Sequence, residues 1–189
     1  CGKIGGAVNA VTFLVADADR KADRTNVEAT FTFTPSAGGA GPTSVTLNYP
    51  SGFFATSATP TAKVSTAGAT LTPAQPGALS IVLTVGGSTP LAAGTAVTVT
   101  LVGCTIGPAR AASNSVTVQT DTDPTASSPA VSCGRIGGAV TAVTFLVADA
   151  DRVADRPNVD ATFTFMPSAG GAGPGFVTLN YPSGVSATS

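Results

Sequence analysis

The sequence predicts an all-β protein, an antiparallel β-sandwich that is repeated in tandem. Three observations lead to this prediction. Short segments alternate apolar and polar side chains with a period of two, as strands buried on one face do. The segments between them are rich in Gly and Pro, whose backbone preferences suit turns. The 189 residues include 29 Thr, and the branched Cβ of Thr favours strands over helices.

The strands follow from this alternation. In VEATFTFT, residues 27–34, apolar side chains alternate with Glu and Thr, which puts both Phe rings on one face. Seven short strands separated by turns favour an immunoglobulin-like sandwich, and a jelly roll or a barrel is the alternative. The other six predicted strands cover residues 8–15, 44–49, 61–66, 78–85, 95–102 and 115–120.

A long repeat divides the chain. Residues 1–57 recur as residues 133–189 at a constant offset of 132, and 47 of the 57 paired positions are identical. Copies this similar, at a period of one small domain, are typical of tandem arrays of a single module. We therefore predict an Ig-like repeat over 1–120, a Pro/Ser/Thr-rich linker over 121–132, and the first three strands of an incomplete second repeat over 133–189.

The second copy is expected to expose a core. Its three strands would carry Phe145, Phe163, Phe165 and Leu179 on inward faces, which four further strands should cover. We expect those strands either to follow in a longer polypeptide or to come from a neighbouring subunit by strand complementation. Both routes lead to a filament made from copies of one module.

Composition and charge exclude several function classes. The net charge is −1, with nine basic and ten acidic residues, so no basic face is available for nucleic acid. The apolar runs are far shorter than the about 20 residues that span a bilayer, so no membrane span is expected in this segment. The sequence has no His for a Ser–His–Asp triad, and its three Cys lack zinc spacing. We predict that the protein is not an enzyme.

Most acidic residues fall in one turn, which both copies contain as ADADR followed by ADR. A salt-bridged turn is one interpretation, since Arg and Lys cancel most of the charge. Calcium binding is the other interpretation, since calcium takes several carboxylate oxygens. Because successive antiparallel strands alternate in direction, the end of the seventh strand should lie at the same end of the sandwich (the same pole) as this turn. No other cofactor is expected. The candidate ligands are Asp17, Asp19, Asp23, Asp121, Asp123, Asp149, Asp151 and Asp155.

The alternating direction of the strands also predicts at which end of the sandwich each cysteine lies. Cys1 precedes the first strand and Cys104 follows the sixth, which places both at one pole and predicts a disulfide between them. Cys133 would then pair within the next repeat. Closing a loop of about 100 residues stabilises a fold by roughly 4–5 kcal/mol. A Cys104–Cys133 bond and three free thiols in a reducing compartment are the alternatives.

Glycosylation is the remaining modification that the sequence suggests. None of the Asn residues begins an N-x-Ser/Thr sequon. Pro recurs beside hydroxyl residues, which is typical of O-glycosylated segments and equally of plain turns. The O-glycosylation candidates are Thr59, Thr61, Ser88, Thr89, Thr125, Ser127 and Ser128.

The segment PLAAGTAVTVTLVG, followed by a Ser/Thr strand and a Pro-rich joint, resembles the Thr-rich, Ig-like tandem repeats of giant extracellular proteins. Such repeats form adhesins and surface fibres of bacteria and single-celled algae. The resemblance implies an extracellular or cell-surface structural protein, a filament or appendage of head-to-tail modules whose partners are copies of itself. The alternative is the stalk of a carbohydrate- or cell-binding adhesin. The class has no common active-site residues to carry over.

Overall fold

The structure, a computed structural model, describes residues 6–36, 40–154, 156–167 and 177–180. The chain divides into two compact units, Cys1–Gly137 (unit 1) and Gly138–Ser189 (unit 2). It is all-β, with 46% strand and 4% helix, and its antiparallel sheets do not close into a barrel in the described part, which is consistent with the predicted sandwich. None of the helical segments in the described ranges is long and apolar enough to cross a membrane.

Unit 1 contains the complete sandwich. Its described residues form nine strands: β1 (Asn9–Val15), β2 (Val27–Thr34), β3 (Ser44–Asn48), β4 (Thr61–Val64), β5 (Ala69–Pro73), β6 (Ser80–Gly87), β7 (Val97–Cys104), β8 (Asn114–Thr120) and β9 (Val131–Ser132).

The strands pair in two antiparallel sheets. One sheet has the order β1-β2-β7-β4 and the other has the order β5-β6-β3-β8-β9. These are the spatial orders of a variable-type immunoglobulin sandwich, A-B-E-D and C″-C′-C-F-G. The chain order differs in the middle, because β4, in the D position, precedes β5 and β6 instead of following them. The architecture is therefore immunoglobulin-like in pairing, with its own connectivity.

Strand β2 shows why the alternation in the sequence produces this fold. Phe31 and Phe33 are fully buried on its inward face. On its outward face, Thr30 and Thr32 form hydroxyl contacts across to β7, with Oγ1–Oγ1 distances of 3.1 Å to Thr100 and 3.0 Å to Thr98. Both halves of the pattern are thus used, because the rings fill the core between the sheets while the Thr side chains tie neighbouring strands together.

Two strands of unit 1 were not among the seven predicted. Strand β5 begins directly after Gly68 and ends at Pro73, so the Gly and Pro signals around it predict a turn instead. Pro73 is compatible with a strand here because β5 lies at the edge of its sheet. Strand β9 has only two residues and pairs with β8 inside the segment predicted as a linker.

Residues 121–132 lie within unit 1 in this structure. Asp123 and Ser127 are buried, and the Ser127 hydroxyl accepts a hydrogen bond of 3.0 Å from the backbone N–H of Val118. The small polar side chains of this segment therefore satisfy backbone groups of the sandwich. The units divide after Gly137, not at the predicted boundaries of 120 and 132.

The first five residues of the second copy also belong to unit 1. Cys133 and Ile136 are fully buried. Ile136 exchanges two backbone hydrogen bonds with Arg110, of 3.0 and 3.1 Å, and the N–H of Gly137 donates to Arg20 at 2.9 Å. We call residues 133–137 the closing segment, because the start of one repeat completes the core of the module before it.

Unit 2 contains an antiparallel hairpin of β10 (Thr141–Val147) and β11 (Ala161–Met166). Its register pairs Phe145 with Phe163, as the hairpin of unit 1 pairs Phe13 with Phe31. The described residues 177–180, which repeat the sequence of β3 at 45–48, lie outside any strand. None of the described residues of unit 2 is buried.

Candidate functional site

The acidic turn of the first copy is held by ion pairs. Residues Asp17–Asp19 form a single 3₁₀ turn after β1. The Nε of Arg20 donates to the carbonyl of Val15 at 2.8 Å and lies 3.7 Å from an Asp17 carboxylate oxygen. The Nε of Arg24 lies 3.4 Å from Asp19 Oδ1. Two of the three carboxylates thus have a basic partner, which supports the salt-bridged interpretation of this turn.

The second copy repeats this arrangement in unit 2. Arg152 lies 3.3 Å from Asp149, and Arg156 lies 2.9 Å from Asp151. Asp155 lies outside the described residues. The turn keeps its geometry although none of the described residues of unit 2 is buried, so it is set by the local sequence.

Asp121 and Asp123 direct their carboxylates to backbone groups of unit 1. Buried Asp123 accepts hydrogen bonds from the N–H of Gly6 at 3.2 Å and from the N–H of Ser36 at 2.8 Å. Asp121 accepts one of 3.0 Å from the N–H of Thr43. Among the described residues, no group of three or more His, Cys, Asp or Glu could hold a metal ion.

The calcium site stays a prediction. In the described part, the carboxylates named for it are engaged separately: Asp17 and Asp19 with Arg, and Asp121 and Asp123 with backbone N–H groups. Calcium would have to replace these partners. An unfolding temperature that rises with added calcium would support the site, and an unchanged temperature in excess calcium would contradict it.

Hydrogen bonds lower the pKa of the Asp121 carboxyl. Burial acts to raise its pKa, but hydrogen bonds from the Thr43 hydroxyl and from the backbone N–H groups of Thr43 and Ser44 outweigh that effect and lower the pKa. The ionised carboxylate is therefore the form that links the end of β8 to the start of β3.

The cysteines of the described part are both buried in unit 1. Burial raises the pKa of Cys104 to about 12, so its thiol stays protonated and unreactive at neutral pH. Cys133 lies in the closing segment, where its N–H donates to the carbonyl of Ser113 at 3.0 Å. It is therefore in the same unit as Cys104, and not in the next module. Both thiols are free in this structure. Cys1 is outside the described residues, and its bond to Cys104 stays a prediction.

The glycosylation candidates differ in accessibility. The Ser127 side chain is buried against β8, so a glycosyltransferase could not reach it in the folded unit. The other six are exposed: Thr59, Thr61, Ser88, Thr89, Thr125 and Ser128.

An open cleft of about 390 Å³ lies at one end of unit 1. Its lining includes Asp23, Ser51, Phe54 and Thr56. Asp23 is the single ionisable side chain of this lining.

The two copies of the repeat differ most in the exposure of their apolar side chains, which form an apolar surface on unit 2. Phe163 is 38% exposed and Phe145 is 49% exposed, whereas Phe31, the counterpart of Phe163, is fully buried. We call the inward-type side chains of β10 and β11 the open face: Val143, Phe145, Val147, Ala161, Phe163 and Phe165. An exposed apolar surface of this kind is a candidate site for interaction with a partner.

The strands that cover the equivalent face of unit 1 occur once in this sequence. In unit 1, β2 pairs with β1 on one side and β7 on the other, while β3 lies between β6 and β8. The sequence anticipates the open face through the incomplete repeat. It does not anticipate the closing segment, whose CGRIG sequence carries no strand alternation.

Comparison with protein-family models, with curated proteins and with solved structures found no match.

Proposed function

We propose that this chain is a structural protein that builds an extracellular filament or surface appendage from head-to-tail β-sandwich modules. It acts without turnover of a substrate. Its partners are copies of its own module, and the exposed Thr and Ser beside Pro carry O-linked glycans.

The observation that carries this proposal is the closing segment. Cys133 and Ile136 begin the second copy in sequence and are buried in the core of unit 1. Each module then needs the first residues of the repeat that follows it, which leaves no independent linker between modules. Such continuity is typical of repeat proteins built for length.

The open face supports the same function. A hairpin that exposes Phe145 and Phe163 is costly to maintain in water, since burying a Phe side chain contributes about 1.5–3 kcal/mol. In a filament this surface is covered by the remainder of a module. The low charge content of 10% and the absence of His from the sequence favour a structural role over catalysis.

Electron microscopy of a polypeptide that carries several consecutive copies of the 132-residue repeat tests the proposal. We expect unbranched fibres with an axial repeat of roughly 35–45 Å, the length of one module with strands of this size. Particles that stay compact and do not lengthen as repeats are added would contradict it.

The stalk of a carbohydrate- or cell-binding adhesin is the second candidate, favoured by the cleft beside Asp23 and Phe54. The two functions separate on a glycan array. A fibre module binds none of the immobilised sugars, whereas a binding module retains a defined subset and loses it when the exposed Asp23 is replaced by Ala.

A further inference from the structure

We propose that the open face of unit 2 binds the body of a further repeat, and that strand β7 of this body pairs along the free edge of β11. The body is defined as a second copy of residues 58–137, which contains β4 to β9 and the closing segment. This inference rests on the proposed function, because it names the partner that completes a module.

The edge of β11 matches the edge that β7 occupies in unit 1. Strand β2 pairs with β7 through seven residue pairs, from Val27 with Cys104 to Phe33 with Val97. Strand β11 has β10 on one side in the same register that β1 has with β2. In the described chain no strand pairs with its other edge, which leaves backbone N–H and C=O groups available for β-augmentation.

The side chains along that edge are conserved between the copies. Residues 161–165 read ATFTF, as residues 29–33 do. Thr162 would therefore face Thr100 of the body, repeating the Thr30–Thr100 hydroxyl contact of 3.1 Å in unit 1. The register of the complex follows from this equivalence.

The apolar surfaces also match. In unit 1, Phe31 and Phe33 are covered within a core that includes Val99 and Leu101 of β7 and residues of the opposite sheet. All inward positions of β1 and β2 are identical in the second copy. Of the ten differences between the copies, those at buried positions of copy 1 are Phe53 and Phe54, which become Val185 and Ser186. The strands that meet the body therefore keep their complementarity.

An intact second copy of the chain cannot serve as this partner. Its body is already filled by its own hairpin, and inserting β10 and β11 would displace β1 and β2. One exposed hairpin would replace another, so no net apolar area would leave water, while association costs translational freedom. The partner is accordingly a body that lacks its own hairpin.

A complementation experiment tests the pairing. The full chain carrying Thr162→Cys is denatured with an excess of fragment 58–137, in which Thr100→Cys is introduced and both native cysteines are replaced by Ala, and the mixture is diluted together. We expect a one-to-one complex by light scattering and a disulfide between residues 162 and 100 in peptide maps. A fragment with Thr98→Cys instead, two residue pairs out of register, should cross-link several-fold less. Equal yields for both fragments would overturn the proposed register.

Two substitutions in the full chain provide matched controls. Phe163→Asp should abolish the complex, because it places a charge where the body would close. Leu146→Asp should leave it unchanged, because Leu146 and its counterpart Leu14 are each 61% exposed, and Leu14 stays so in the complete module. Equal loss in both variants, or a homodimer of open faces that excludes the fragment, would overturn the proposal.

A covalent version removes the dependence on fragment solubility. Joining a copy of residues 58–137 after Ser189 gives the body a high effective concentration. The β11 amides should then exchange with solvent as slowly as those of β2, and exchange as fast as in the original chain would contradict the proposal. Fibres that form without the 162–100 bond would overturn this inference and leave the proposed function standing. A 162–100 bond without fibres would contradict the proposed function and leave this inference standing.

Discussion

The two copies of the hairpin have nearly the same sequence and the same local geometry. Each first strand has its bulge at the same place, between Asn9 and Thr12 in unit 1 and between Thr141 and Thr144 in unit 2. Ala10 and its counterpart Ala142 both have a φ of +50°. The 3₁₀ turn and its ion pairs also recur. These features depend on residues close in the chain and do not require the rest of the module.

Burial and the third strand differ between the copies. VTLN is part of β3 in unit 1, where β6 and β8 flank it, and lies outside any strand at residues 177–180 in unit 2. Phe31 is fully buried, while Phe163 is 38% exposed. The same residues thus form a strand or not according to the partners available, as expected when strand formation depends on cross-strand neighbours.

The largest expected effect comes from one substitution made in each copy. Phe31→Ala should destabilise unit 1 by roughly 3–5 kcal/mol, because it leaves a cavity in a closed core. Phe163→Ala should leave the denaturation midpoint of the chain nearly unchanged, because its ring packs against no closed core. Chemical denaturation followed by circular dichroism measures both.

The outward positions provide the control for this pair. Leu14→Ala and Leu146→Ala should each change the stability by about 0.5 kcal/mol or less, as exposed substitutions usually do. If Phe163→Ala destabilised the chain as much as Phe31→Ala, the second hairpin would have a buried core of its own, and the contrast between the units would be wrong.

Sequence reasoning succeeded where an element is regular and buried on one face. The alternation in residues 27–34 predicted β2 and the burial of its Phe rings on one face, but not the hydroxyl contacts of its Thr side chains with β7. It failed where a polar or Gly-rich segment is ordered by distant backbone. Asp123 belongs to a segment with the composition of a linker, yet its carboxylate binds N–H groups of Gly6 and Ser36, more than 80 residues away. Composition carries no information on such partners.

The second prediction concerns this buried carboxylate, which joins the body to the first hairpin. Asp123→Ala should destabilise unit 1 by roughly 2–4 kcal/mol, because it removes the buried acceptor of hydrogen bonds from the part-buried N–H groups of Gly6 and Ser36. Asp123→Asn should lower the stability of unit 1 by less, since the amide oxygen of Asn can still accept a hydrogen bond. Asp17→Ala is the control, because the Asp17 side chain is 98% exposed. Equal midpoints for Asp123→Ala and Asp17→Ala in thermal unfolding would show that the buried contacts contribute nothing.

The smallest effect is expected at Thr43, where the two copies differ in sequence. The Thr43 hydroxyl and N–H donate to Asp121, and the second copy has Gly175 at the equivalent position. Thr43→Ala removes the hydroxyl and keeps the N–H. It should lower the stability at pH 7 by about 1 kcal/mol or less, since Asp121 is exposed and solvent screens its interactions.

The pH dependence identifies the cause of that loss. Hydrogen bonds lower the pKa of Asp121 in the folded chain below its ordinary value of 3.8, so they stabilise the fold fully above that value. This contribution is lost as the pH falls from 3.8 through the lower folded pKa. Because Thr43→Ala weakens the shift, its stability deficit should be constant from neutral pH down to about 4 and shrink in stronger acid as Asp121 becomes protonated in both proteins. Urea unfolding of the two proteins across this range measures the deficit. A deficit that persists unchanged in strong acid would mean that Thr43 acts through packing, and that the link between the end of β8 and the start of β3 does not depend on the charge of Asp121.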